Sequence, residues 1–131
     1  MSKHTLGDLQ HAIMSVLWQR GEATVSDVHE ALREERGLAP TTIATMLRKM
    51  ETKGVVSHRS EGRQFVYRAT VSEADVKRSM VGEIVDRLFE GDPAELVNHL
   101  VSDHEIDAED LARLRKLLKK SKASKGKETQ R

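Results

Sequence analysis

The stretch 39–68 reads APTTIATMLRKMETKGVVSHRSEGRQFVYR and changes from helical to extended spacing half-way along. In its first half, apolar residues recur three and four positions apart, which predicts a helix that begins at Pro40 and ends at Lys53, before Gly54. The second half favours strands and is interrupted by Ser-Glu-Gly, which predicts a hairpin of two strands, 55–59 and 63–68. A helix followed at once by a basic hairpin is the second half of a winged helix-turn-helix, so two further helices are expected before it.

Two further helices are predicted upstream of this stretch. The first covers about residues 8–20, where the apolar residues form one stripe, and Gly21 ends it. The second follows residues 23–25, with Thr24 or Ser26 as its cap. Three helices and then a hairpin are the order of a winged helix-turn-helix, and Trp18 is expected in its core rather than in a ligand site.

The third helix is predicted to present hydroxyls and cations on the side opposite its apolar residues. Such a face suits the major groove of DNA, because arginine and lysine bind phosphate or guanine while threonine offers a hydroxyl and a methyl group. The face alone is also compatible with a solvated surface, but arginines on both sides of the hairpin turn favour DNA binding. The candidate DNA-binding residues are Thr41, Thr42, Thr45, Arg48, Lys49, Lys53, Arg59 and Arg63.

The chain after residue 70 is predicted to form three helices with apolar stripes. About 50 residues are too few to bury these stripes comfortably alone, so we expect them to pack against a second copy of the chain. The candidate dimer contacts are Val76, Met80, Ile84, Leu88, Leu96, Leu100, Leu111, Leu114 and Leu118. The predicted organisation is therefore a winged-helix domain over 1–70, a three-helix dimerisation domain over 71–120 and a disordered basic tail over 121–131. The fold class is mainly α with a small β-hairpin.

Charge is distributed unevenly along the chain, although the formal net charge is only +1. Residues 39–68 contain six bases and two acids, a net charge of +4. Residues 71–112 contain three bases and twelve acids, a net charge of −9, and residues 113–131 contain nine bases and one acid, a net charge of +8. These blocks indicate different partners for different parts of the chain.

Other classes of site find little support in the sequence. Cysteine is absent, which excludes disulfides and thiolate metal sites and suits a reducing cytoplasm. No apolar run is long enough to span a membrane. His99, Asp103 and His104 are better explained as solvated residues at a helix end than as metal ligands. With no phosphate loop or nucleophile motif, we expect neither a cofactor nor an enzyme.

Several segments resemble the penicillinase and methicillin-resistance repressor family, the BlaI/MecI family, of which the copper-responsive CopY-type repressors are relatives. The similarity covers about residues 5–119. It rests on Leu6-Gly7-Asp8-Leu9-Gln10, Ile13-Met14, Val16-Leu17-Trp18, Thr24-Val25-Ser26-Asp27-Val28, Thr41-Thr42-Ile43-Ala44-Thr45-Met46-Leu47, Lys53-Gly54, Gly62-Arg63, Val66-Tyr67 and the spacing from Asp107 to Leu118. The resemblance implies a homodimeric repressor on a palindromic operator, with the winged helix first and the dimerisation region after it.

The resemblance also implies a means of release. Its antibiotic-responsive branch is inactivated by cleavage of an Asn-Phe bond in the dimerisation region, which implies a membrane sensor protease as a partner. Asn98, His99 and Leu100 occupy the corresponding stretch, with His99-Leu100 at the position of the Asn-Phe pair. The cysteines of the CopY branch are absent, which excludes thiolate metal sensing. A winged helix used for protein contact and an activator on the same fold are the alternative functions.

Overall fold

The computed structural model describes residues 5–103 and 106–129, so His104 and Glu105 lie outside the described residues. Within them the elements, in chain order, are α1 (Asp8–Arg20), β1 (Ala23–Thr24), α2 (Val25–Arg36), α3 (Pro40–Lys53), β2 (Val56–Glu61), β3 (Gln64–Ala69), α4 (Glu73–Leu88), α5 (Pro93–Asp103) and α6 (Ala108–Thr129). The chain divides into two compact units, Met1–Leu88 and Phe89–Arg131. No described helix has the length and apolar character needed to cross a bilayer.

The first unit is built around the apolar sides of α1, α2 and α3. Ile13, Leu47 and Met50 have no exposed surface, and Tyr67 of β3 covers them from the hairpin. The periodicity that predicted α1 and α3 arises because these side chains recur once per helical turn and reach the same core. The mainly α winged-helix fold is thereby confirmed.

The start of α2 is fixed by a reciprocal cap. The hydroxyl of Thr24 accepts a hydrogen bond from the Asp27 amide at 3.1 Å, and the Asp27 carboxylate accepts one from the Thr24 amide at 3.0 Å. The second of these bonds is the main reason why the pKa of Asp27 lies below its usual value. Two otherwise unpaired amides at the helix start are thus satisfied, as in a capping box.

The hairpin belongs to an antiparallel sheet of three strands in the order β1-β3-β2. Ala23 of β1 pairs with Tyr67 of β3, a pairing between distant segments that sequence periodicity could not reveal. Strand β2 extends two residues further toward the turn than predicted, and β3 begins one residue later than predicted. Glu61 pairs with Gln64, which leaves only Gly62 and Arg63 between the strands. Gly62 has a φ of +61°, which glycine adopts without strain and which permits so short a turn.

Helix α4 belongs to the first unit, whereas we predicted a boundary near residue 70 and placed this helix with the dimerisation region. Val76, predicted as a dimer contact, is instead buried in the winged-helix core with 1% of its surface exposed. The indole Nε1 of Trp18 donates a hydrogen bond to the carbonyl oxygen of Val71 at 2.9 Å. Thr5 also donates a hydrogen bond to Glu83. The first hydrogen bond joins α1 to the segment before α4, and the second joins the segment before α1 to α4. The apolar stripe of α4 is therefore buried in this unit at Val76 and exposed at Leu88.

The second unit consists of α5 and α6. Among its described side chains none is buried, and Leu117 and Leu118 are 61% and 69% exposed. Helix α6 continues to Thr129, through most of the segment 121–131 that we predicted to be a disordered tail. Lysine and alanine have favourable helix propensities, and extending an existing helix adds one backbone hydrogen bond per residue without a new nucleus. The absence of large apolar residues, on which the prediction of disorder was based, therefore does not prevent a helix.

Candidate nucleic-acid interface

The outer face of α3 is available to a ligand. Its apolar residues point into the core, which leaves the other side of the helix in solvent. The exposed side chains on that side are Thr41, Thr42, Thr45, Arg48 and Lys49, all of them candidates from the sequence. The N-terminal half of the helix therefore presents three hydroxyls, and the next turn presents two cations. No carboxylate separates them, so the face is complementary to the phosphates and base edges of a major groove.

Lys53 does not share this free face, although the sequence placed it among the DNA-binding candidates. Its ammonium group donates a hydrogen bond to the carbonyl oxygen of Thr5, in the segment before α1. Lys53 therefore ties the end of α3 to the start of the chain. Gly54, with a φ of +91°, then turns the backbone into the hairpin.

The hairpin of β2 and β3 is the wing of the winged helix. The two arginines predicted beside its turn have different environments. Arg63 lies in the turn, and the structure gives its side chain no ion pair or hydrogen bond within the described residues. The guanidinium of Arg59 contacts Glu61 and also donates to Glu22 at 2.8 Å. These hydrogen bonds, that to Glu61 first, raise the pKa of Arg59 above its usual value. A phosphate at Arg59 must therefore compete with two carboxylates, whereas one at Arg63 need not.

His58 connects α3 to the hairpin, a role that the sequence analysis missed. Its Nδ1 lies 2.7 Å from a carboxylate oxygen of Glu51 at the end of α3. On the other side its ring stacks on Phe65 with centroids 4.2 Å apart, and Tyr67 lies next to both. His58, Phe65 and Tyr67 lie on one face of the hairpin, so period-two spacing in the sequence was the available signal.

The start of α2 also reaches the wing. Thr24, Val25 and Ser26 line one side of an open groove, and Arg63 and Phe65 line part of the other. The positive end of the α2 dipole therefore borders the wing turn, a juxtaposition that no local sequence pattern predicts.

Unpaired cations in the first unit are concentrated around this face. The bases of α1, α2 and α4 make ion pairs, such as Arg36 with Asp8 at 3.0 Å. Those in the described part of the unit whose side chains make neither an ion pair nor a hydrogen bond are Arg48, Lys49, Arg63 and Arg68. All four lie on α3 or the hairpin. Four of the six bases in residues 39–68 are therefore free to contact phosphate.

The model of the penicillinase repressor family matches residues 6–120. This chain belongs to that family. The resemblance noted in the sequence is thereby confirmed. Among family members, the penicillinase repressor of Bacillus licheniformis is 26% identical over 120 residues, which cover 92% of this chain and 94% of the relative. The transcriptional regulator BlaI of Mycobacterium tuberculosis is 40% identical over 94 residues, which cover 70% and 66% of the two chains.

A solved structure supports the fold of this penicillinase repressor family member. The protein hsRosR-SG superposes with a TM-score of 0.55 over 94% of this chain and 97% of its own, at 19% identity. This likeness concerns the fold alone. The family match and the exposed cations on α3 and the hairpin are the observations that bear on function.

Proposed function

We propose that this chain, a DNA-binding transcriptional repressor by its family, acts as a homodimer on a two-fold symmetric operator. The observation that carries the proposal is the concentration of unpaired cations on α3 and the hairpin of the first unit. In a helix-turn-helix protein the corresponding helix enters the major groove, and a dimer reads two half-sites. We assign no enzymatic activity and no cofactor to the chain, and we place it in the cytoplasm with the DNA.

The roles of the side chains follow from their positions. Thr41, Thr45 and Arg48 are exposed on the groove-facing side of α3, so we assign base recognition to them. Arg63 at the wing turn meets the phosphate backbone, which positions the protein without distinguishing sequences. Arg59 is held by Glu22 and Glu61 and supports the wing.

The operator-binding proposal is tested by the salt dependence of affinity. Each phosphate contact contributes about −0.9 to the slope of log affinity against log salt concentration. A two-fold duplex should therefore be bound several orders of magnitude more weakly at high salt than at low salt. A winged helix used only for protein contact would give a flat response, and this result would overturn the proposal.

Dimerisation is proposed to use the exposed apolar residues of α4, α5 and α6. Leu88 is 72% exposed, and Val97, Leu100 and Leu111 are between 40% and 51% exposed. Exposed apolar residues at helical spacing are typical of a surface that a partner covers. Leu100 and Leu114 line one shared groove whose lining is mostly apolar, with Asp110 and Arg113 as its charged members.

Two matched variants of α5 test this interface. Leu100→Glu adds a charge to the apolar groove, and Ser102→Glu adds the same charge to an exposed polar position of the same helix. Sedimentation equilibrium should show a monomer for the first variant and a dimer for the second. If both remain dimers at micromolar concentration, α5 is not part of the interface.

We propose that the repressor is released from its operator by proteolysis within residues 96–106, beside Asn98, His99 or Leu100. A membrane sensor protease is the proposed partner. In the structure these three residues lie inside α5. His99 lies 3.2 Å from Asp103, and its ring lies 5.4 Å from that of Phe89. A protease binds an extended segment, so this part of α5 must unwind before cleavage. Cleavage there would separate the winged helix from α6 and so weaken the dimer.

Mass spectrometry of the protein from induced cells tests the proteolytic step. Fragments ending at residues 98–100 are expected. Recovery of intact chains alone while target genes are transcribed would eliminate proteolysis.

A glycine substitution supplies a sharper test: Ala94→Gly loosens the first turn of α5 without altering residues 98–100 and should speed cleavage.

A further inference from the structure

The ion pairs of the second unit leave one group of cations without acidic partners. Arg113 lies 4.0 Å from Asp110, but beyond it the sequence contains no acid until Glu128. Within residues 106–121, the bases whose side chains make neither an ion pair nor a hydrogen bond are Arg115, Lys116, Lys119 and Lys120. All four are exposed. Among the side chains that the structure describes, those of residues 5–103 and 106–121, cations with neither interaction thus occur only on α3, the hairpin and this part of α6.

The three lysines lie on one side of α6. Lys116, Lys119 and Lys120 are three and four residues apart, a spacing that places side chains together on a helix. At 100° per residue their mean direction is about 180° from that of Leu111, Leu114, Leu117 and Leu118. The leucine side borders the apolar groove shared with α5, where Leu114 and Leu117 meet Val97 and Leu100. The lysine side therefore stays accessible when the leucine side is covered.

In α4, by contrast, acidic side chains pair with the bases. Lys77 pairs with Glu73 at 3.3 Å and Arg87 pairs with Glu83 at 3.1 Å. These bases find partners because acids greatly outnumber bases in that part of the chain. An unpaired cation can contact phosphate and release a phosphate counterion without first losing a protein partner. The lysine side of α6 shares this property with α3 and the hairpin turn.

We propose that Lys116, Lys119 and Lys120 form a second DNA-binding surface, which contacts the phosphate backbone without reading sequence. It presupposes the operator binding proposed above and adds affinity to it. Four further bases, at positions 122, 125, 127 and 131, continue the positive charge along the sequence beyond the residues that match the family model.

Duplex DNA fits this surface better than an anionic membrane does. Helices that lie in a membrane interface combine a basic side with an apolar side of tryptophan, phenylalanine or leucine, and they bind by inserting that apolar side into the bilayer. The apolar side of α6 contains leucine alone, and two of these leucines already border α5. Lysines favour a regularly charged polyanion, since each acts as a point charge without demanding a planar, bidentate partner.

The test is a triple variant of the full chain, Lys116→Gln, Lys119→Gln and Lys120→Gln. Glutamine has a helix propensity close to that of lysine, so α6 is preserved. Affinity for an operator duplex and for an unrelated duplex of equal length should fall by the same factor, about tenfold or more at low salt. The salt slope should become less steep by about 0.9 for each phosphate that the variant no longer neutralises. The matching Lys→Arg triple variant keeps the charge and should restore the slope.

A charge-matched control separates this surface from a general effect of net charge. Lys77→Gln, Arg78→Gln and Arg87→Gln remove three cations that are already paired with acids, and the salt slope should stay that of the unmodified chain. Sedimentation of every variant checks that it remains a dimer. Equal slopes for the α6 variant and the unmodified chain would overturn the second surface, while operator preference would still support the proposed function.

Two other partners are distinguished by the same variants. Loss of binding to vesicles containing phosphatidylglycerol, with unchanged DNA slopes, would assign the lysines to a membrane and overturn the proposal. Weaker dimerisation with an unchanged slope would assign them to the acidic segment 71–112 of a second copy and also overturn it. If even the unmodified chain shows no preference for its operator and no salt dependence, the proposed function itself fails.

Discussion

The two units of this protein use their apolar residues in opposite ways. In the first unit Ile13, Leu47 and Met50 are completely buried by the chain's own helices and sheet. In the second, every described leucine except Leu96 is exposed by at least a third of its surface. Both units show helical apolar spacing, so spacing alone does not reveal whether the partner is intramolecular or a second copy. Substitutions and truncations in each unit can test this contrast.

The largest expected effect concerns the core of the first unit. Leu47→Ala should lower the free energy of unfolding by about 2–5 kcal/mol, because it removes buried methyl groups and leaves a cavity. Leu118→Ala is the control, since that side chain is 69% exposed. Urea titrations followed by Trp18 fluorescence measure both variants. The contrast fails if the two variants lose equal stability at a chain concentration that keeps the protein monomeric.

A second prediction locates the boundary between the units. The fragment 1–88 should be more stable than 1–70 by at least about 1.5–3 kcal/mol, the value of burying one large aliphatic side chain, because Val76 completes the core. The shorter fragment also lacks Val71, which accepts the hydrogen bond of Trp18. Thermal unfolding of both fragments measures the difference. Equal stability of the two fragments would support the domain boundary near residue 70 that the sequence predicted.

The third prediction separates base recognition from backbone contact within the first unit. Arg48→Ala should cost roughly 1–3 kcal/mol of binding free energy on the operator and relax its sequence preference. Arg63→Ala should weaken operator and unrelated duplexes nearly equally, because the wing turn meets phosphate. Competition binding with single base-pair substitutions in the operator distinguishes them. If preference changes with Arg63→Ala and not with Arg48→Ala, the proposed docking is reversed.

A smaller effect is expected at the cap of α2. Thr24→Ala removes a hydroxyl that accepts from Asp27 and should destabilise the first unit by about 1 kcal/mol. Ser26→Ala, at the next hydroxyl-bearing position of the same helix start, is the matched control because no hydrogen bond of its side chain is involved in the cap. Urea midpoints provide the measurement, and equal midpoints for the two variants would show that the cap contributes nothing.

The smallest effect is a dependence of stability on acid pH. The pKa of Asp27 is lowered from 3.8 in the folded chain, chiefly by the Thr24 amide, so the carboxylate form favours folding. Its contribution is therefore present above pH 3.8 and is lost as the pH falls through the folded pKa. Asp27→Asn should lessen the loss of stability between about pH 5 and pH 2. Unchanged acid dependence in this variant would remove Asp27 from the explanation.

Residues whose contacts are local were predicted correctly from the sequence. One helical period and its end signals predict the bounds of α1 and α3, the buried Ile43 and Leu47, and the exposed Thr45 and Arg48. The hairpin follows from a change of period and a glycine turn. These features depend on neighbours within a few positions, and the sequence displays such neighbours directly.

Contacts between distant segments were not predictable in the same way. Lys53 reaches Thr5 across 48 positions, Arg59 reaches Glu22 across 37, and Trp18 reaches Val71 across 53. The first two of these contacts change the role assigned from the sequence: Lys53 is an anchor, and Arg59 is paired. Arg63 and Arg59 look alike in sequence, and only their surroundings distinguish a free cation from one held by carboxylates.

The sequence by itself determined the order of the elements, the polar face of α3 and the family, because these are written in local spacing and residue type. The tertiary structure alone decided that α4 completes the first core, that β1 joins the hairpin and that certain cations lack acidic partners. The physical reason is that burial and ion pairing depend on which surfaces meet in space. A helical stripe specifies that an apolar surface must be covered, but not by what.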